Sequence, residues 1–148
     1  MPTAITDTPA LPPVALLPPE SRTLLWTARH MVACWPGCSS IRPVLMESLG
    51  ERAAGAEHLV RCLLVGIGNR VHRRLAFGNP AATALFPDEA LMLEAVGLDG
   101  AEAAPDALML LTGCPKARAL APLLLELRRT FAGAAESRAL ALMPVDDP

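Results

Sequence analysis

The chain has 148 residues and a net charge of −2, enough for one domain that buries about two thirds of its unfolded surface and too few for two ordinary ones. Leucine and alanine dominate, tyrosine is absent, and the aromatics are Trp26, Trp35, Phe77, Phe86 and Phe131, an inventory of helices rather than strands. The small net charge excludes a whole-molecule field strong enough to recruit nucleic acid or an anionic membrane, and no apolar run approaches the ~20 residues of a bilayer span.

The first 19 residues hold six prolines (Pro2, Pro9, Pro12, Pro13, Pro18, Pro19), which predicts a flexible arm of polyproline II character over 1–19. This arm has no lysine or arginine, so it matches neither a secretory signal nor a transit peptide. The expectations are a cytoplasmic address and, with it, four thiols rather than two disulfides at Cys34, Cys38, Cys62 and Cys114.

From Glu20 the pattern turns helical: Leu24, Leu25, Ala28, Met31, Val32 and Trp35 form one stripe that stops at Pro36-Gly37. A second helix fits 39–49, with Ser39 or Ser40 as N-cap and Ile41, Val44, Leu45 and Leu49 facing inward. The third is the longest prediction, 56–77, because Leu59, Val60, Leu63, Leu64, Ile67, Val71 and Leu75 fall on one arc at 100° per residue. Gly66 and Gly68 inside it cost on the order of 2 kcal/mol relative to alanine, which points to a close helix approach or a kink.

Pro87-Asp88-Glu89 places a proline near N1 with two acids in the first turn, opening a helix to Val96 that Gly97 closes. Residues 98–104 read as a loop and Pro105-Asp106 opens a helix to Thr112. Pro115 then starts a long final helix with Leu120, Leu123, Leu124, Leu127 and Phe131 inward. The prediction is an all-α, single compact bundle of five to six helices over 20–132, with a loose tail over 133–148.

Few residues carry chemistry. His30, Cys34 and Cys38 are spaced by four and four, but Pro36-Gly37 interrupts the helix that would align them. Cys34 and Cys38 around a turn, completed by Cys114, Cys62 or a histidine, have the residue types of a zinc, iron-sulfur or heme site without the tight CxxC spacing. The plainer reading makes each cysteine a small apolar core residue, with no cofactor. Cys114-Pro115 puts a thiol at a helix N-cap, where the dipole favours the thiolate, though a capping turn explains it as well.

In Asn69-Arg70-Val71-His72-Arg73-Arg74, the residues Arg70, Arg73 and Arg74 are candidates for an anion or partner site. Their bland alternative is pairing with the acids of 88–106, a stretch that contains no basic residue. Gly66-Ile67-Gly68 follows no strand and opens no helix, so it is not a phosphate loop.

The succession Leu24-Leu25, Arg29-His30-Met31, the apolar arc of 59–75 ending at Asn79-Pro80, then Phe86-Pro87-Asp88-Glu89 and a leucine-rich last helix resembles an uncharacterised bacterial family of short all-helical proteins. The resemblance covers about 20–132 and implies a helical fold; it implies no catalytic or binding residue. With no nucleophile, acid and base assembled, the expectation leans away from an enzyme. It favours a helical interaction or regulatory module that binds a protein partner or a second copy. The alternative is a redox sensor built on the cysteines with metal, cluster or heme. A membrane partner is not expected, and the acidic balance speaks against nucleic acid.

Overall fold

The structure, a computed structural model, describes residues 11–100, 102–137 and 140. Among these residues it is all-α. Helices α1 (Pro19–Ala33), α2 (Ile41–Leu49), α3 (Ala53–Gly68), α4 (Pro87–Val96), α5 (Pro105–Thr112) and α6 (Ala121–Phe131) follow one another, with short 3₁₀ turns at Val14–Leu16, Gly50–Arg52 and Pro115–Leu120. No helix among the described residues is long and apolar enough to cross a membrane.

Helix α3 is the hub, packed against α1, α2 and α6, while α4 joins α5 and reaches across to α1 and α6. Val60, Leu63 and Ile67 of α3 meet Leu24 and Met31 of α1, Ile41 and Leu45 of α2, and Leu124, Leu127 and Phe131 of α6 in one buried cluster. Each fully buried side chain of this kind stabilises the fold by about 1.5–3 kcal/mol, enough to offset the ~1 kcal/mol that a helical glycine costs. Gly66 is such a glycine, and its purpose is close approach. A Cβ there would sit 2.9 Å from Leu120 Cδ2.

Helix α1 is buried on nearly every side, which its threonines permit. The Thr23 hydroxyl donates to Pro19 O at 2.7 Å and that of Thr27 to Thr23 O at 2.8 Å, so neither buries an unmet polar group. The same helix carries Arg29, whose side chain is fully buried against an equally buried Glu89. Arg29 Nε donates to Glu89 Oε2 at 2.6 Å and Nη2 to Oε1 at 2.8 Å. Its remaining reach goes to the carbonyls of Ala82 (2.6 Å) and Ala84 (2.8 Å). Glu89 in turn accepts the N–H groups of Gly78 (3.1 Å) and Phe86 (2.9 Å). Both charges are met by ion pairing and by backbone, the condition under which a buried pair is tolerated.

This crossing corrects the predicted third helix, which ends at Gly68 and not at Phe77. Val71 N–H still reaches Ile67 O (3.0 Å), but residues 72–77 lie outside any helix, and a carboxylate of the first turn of α4 takes up part of their backbone instead. Asp88 Oδ2 accepts Ala76 N–H at 2.7 Å, and the Arg73 guanidinium spans both Asp88 oxygens (2.6 and 3.0 Å) and Leu111 O (3.0 Å). Leu75 still packs on the core, so the apolar arc foretold burial but not backbone conformation.

Three further expectations change. Within the predicted arm 1–19, residues 1–10 lie outside the described residues, but Val14 and Leu17 are buried and Val14 N–H donates to Thr83 O at 2.9 Å. Within the predicted tail, Ala134 and Ser137 are buried, Ala135 N–H reaches Ser48 O at 2.9 Å and Glu136 pairs with Arg22 at 2.5 Å, so 133–137 dock on the domain. The final helix is split. Pro122 has no N–H to continue an α-helical ladder from 115, so that stretch is 3₁₀ and α6 starts at Ala121.

Candidate functional site

Beyond Ala33 the chain leaves α1, and the last apolar residues of the predicted stripe do not enter the core. Val32 is 45% and Trp35 52% exposed, and across from them Val65 of α3 is 43% exposed. With Leu64, Gly68, Asn69, Leu75 and Phe77 they line an open groove of about 440 Å³. Leu75 and Phe77 belong to the non-helical stretch after α3, which the Asp88 and Glu89 carboxylates hold at Ala76 and Gly78. Among the described residues the lining contains one amide, Asn69, and no acid, base or nucleophile.

At the same end of α1 the chain turns sharply. Cys34 N–H closes the helix on His30 O (3.0 Å), Gly37 N–H returns to Cys34 O (2.6 Å), and Gly37 sits at φ +146°, a conformation that favours glycine. The reversal carries Cys38 back beside Cys34, where each thiol perturbs the other. Cys38 Sγ also lies 2.9 Å from Ser40 Oγ. That hydroxyl, helped by the N–H groups of Ser40 and Ile41 and by the Cys34 thiol, holds Cys38 below the usual thiol value. Cys34 is pushed up, first by the charge of Cys38. Ser40 is therefore not a side-chain N-cap of α2, because its hydroxyl is turned to sulfur.

Comparison with known protein families, curated proteins and solved structures gives no match for this chain. The site is read from its own geometry alone. Of the predicted metal set, Cys34 and Cys38 meet, while His30 and Cys114 go elsewhere. His30 Nδ1 faces Trp26 O at 3.0 Å with its ring 3.9 Å from that of Trp26, and Cys114 N–H donates to the Thr112 hydroxyl at 3.2 Å. Among the described residues no three His, Cys, Asp or Glu side chains form a group able to hold a metal ion.

The basic run also divides. Arg73 is spent on Asp88, which it holds below the ordinary carboxylate value with help from Ala76 N–H. Arg70 caps the end of α3 through Gly66 O (3.0 Å) and reaches Lys116 O (3.4 Å). Arg74 is exposed, and its side chain has no hydrogen-bond partner among the described residues. Two pairings had escaped the sequence reading. Arg29 and Glu89 lie sixty residues apart, with nothing local to link them. His58 Nε2 and Cys62 Sγ, 3.5 Å apart one turn along α3, follow helical spacing and were open to discovery; neither lines the groove.

Proposed function

We propose that this protein is a non-catalytic interaction module whose groove takes an apolar segment of a protein partner, with acidic residues beside it. The observation that carries this reading is the trio Val32, Trp35 and Val65, large apolar side chains left 43–52% exposed around one concavity; Leu16, Met46, Leu110 and Leu125 are exposed too, but none of them lines it. A groove of about 440 Å³ has room for one or two bulky anchor side chains, as helix-in-groove docking requires. A lining without acid, base or nucleophile argues for binding rather than chemistry. The charge preference follows from chain position: His72 and Arg74, both exposed, belong to the stretch that joins the lining residues Asn69 and Leu75.

The test uses labelled synthetic amphipathic peptides with leucines at i, i+3 and i+7, flanked by glutamates in one version and lysines in the other. Fluorescence anisotropy is expected to show saturable binding of the glutamate version, at least tenfold weaker binding of the lysine version, and loss of both in Val65→Glu. Equal binding of the two peptides, or binding unchanged by Val65→Glu, would overturn the reading. Light scattering in parallel separates a second copy from a foreign partner, because a dimer that Val65→Glu dissociates makes the second copy the occupant.

A further inference from the structure

We propose that Cys34 and Cys38 form a reactive dithiol site that a hydroperoxide converts into an intramolecular disulfide. The geometry carries it. The turn closed by the Gly37 N–H to Cys34 O bond (2.6 Å) brings Cys38, one residue further on, back beside Cys34, near enough for each thiol to perturb the other. Cys34 is exposed and Cys38 partly so, so a small oxidant reaches both. The other two cysteines lack such a neighbour, since Cys62 stands beside His58 and Cys114 beside Thr112. The roles within the pair differ. The Ser40 hydroxyl at 2.9 Å stabilises Cys38 as thiolate, which makes it the attacking sulfur, and Cys34 the resolving one.

In the first step the Cys38 thiolate attacks the terminal peroxide oxygen. A sulfur–oxygen bond forms, the O–O bond breaks, and the alkoxide leaves and takes a proton to become the alcohol, with Cys38 left as a sulfenic acid. In the second step Cys34, having given up its proton, attacks that sulfur. The disulfide forms and the hydroxide leaves with the released proton as water. The peroxide is reduced by two electrons, the two thiols together are oxidised by two, and a small thiol restores them by exchange. Trp35 lies between the two cysteines, so ring closure also restrains one wall of the groove. That regulatory consequence rests on the groove being a binding site; the dithiol chemistry does not.

The experiment treats the full chain with hydrogen peroxide and follows it by intact mass and peptide mapping. The expected product is a Cys34–Cys38 disulfide, seen as loss of two hydrogens before Cys62 or Cys114 is modified, and reversed by dithiothreitol. In Cys34→Ser the sulfenic acid at Cys38 should persist and be trapped by dimedone, while in Cys38→Ser the Cys34 thiol should survive the same dose. Earlier oxidation of Cys62 or Cys114, an intermolecular dimer through Cys34 as the main product, or no dimedone adduct in Cys34→Ser would each overturn the assignment. Peptide binding is then measured with and without peroxide. A disulfide that forms without altering binding removes the regulatory consequence alone, and loss of binding in Val65→Glu without loss of the disulfide separates the groove from the thiols.

Discussion

Little more than one helical turn separates Arg29 from Cys34, yet they belong to opposite kinds of site. At Arg29 every neighbouring polar group has a partner: a carboxylate meets the guanidinium, two carbonyls take its other donors, and two backbone N–H groups complete Glu89. At Cys34 the chain has left the helix, the thiol is exposed, and Val32 and Trp35 are about half exposed. The first region holds the non-helical stretch 69–86 to the domain. The second is free to change without unfolding it. Charge buried in a low dielectric is costly to disturb, whereas an exposed turn has little stability to lose.

The largest effect should come from breaking the buried pair. Arg29→Met leaves the buried Glu89 carboxylate without its cation, so urea denaturation is expected to show a loss of about 3–5 kcal/mol. The double change Arg29→Met with Glu89→Leu should lose clearly less than that single, since no charge remains to be desolvated. A double variant as unstable as the sum of its singles would mean that the backbone bonds, not the charges, dominate.

Next is Gly78→Ala. A Cβ at this position would lie 2.8 Å from Arg29 Nη2 and 3.0 Å from Cζ, so the guanidinium must shift away from its partners. The expected cost is about 1–3 kcal/mol. A calorimetric midpoint unchanged from wild type would show that Arg29 has room to move.

A smaller effect is set by pH. Arg73 and Ala76 N–H hold Asp88 below its ordinary value of 3.8, so the folded protein binds this proton less readily than the unfolded chain. The contribution of Asp88 is therefore complete above pH 3.8 and is lost as pH falls from there through the lower folded value. Asp88→Asn should flatten the decline in stability over that acidic range and leave the slope near neutrality unchanged, as read from denaturation midpoints. A decline as steep as that of wild type would assign the acid sensitivity to other carboxylates.

The smallest stability effect is expected at the other region. Trp35→Ala should cost no more than about 1 kcal/mol by denaturation, since about half of the residue is exposed, while binding of the glutamate-flanked peptide is lost. A loss of several kcal/mol would make Trp35 part of the core and end the contrast between the two regions.

Much of the helical framework was legible because its signals are local. Pro87-Asp88-Glu89 opens α4 and Gly97 closes it, Pro105 opens α5, and the glycine at 66 marks a close approach that Leu120 makes. The stripe of α6 was placed by its period, although Pro122 moved its start. Errors arose where two signals competed. Val71 and Leu75 continue the arc of α3, but Asp88 and Glu89 offer the backbone of 76–78 stronger acceptors than a helix end holding two glycines could. In the candidate site, the spacing of Cys34 and Cys38 drew attention to the right turn. What it could not show was that His30 and Cys114 lie apart from it, nor that Val32 and Trp35 face outward.

The sequence alone determined an all-helical chain, the sites of its breaks and most of the buried leucines, because propensity, capping and 3.6-residue periodicity act within a few residues. Only the tertiary structure decided that Arg29 meets Glu89, that the helix stops at Gly68, and that Val32, Trp35 and Val65 line one groove. Those outcomes depend on contacts between groups far apart in the chain, where satisfying a buried charge outweighs the local preference of the segment that must move to do so.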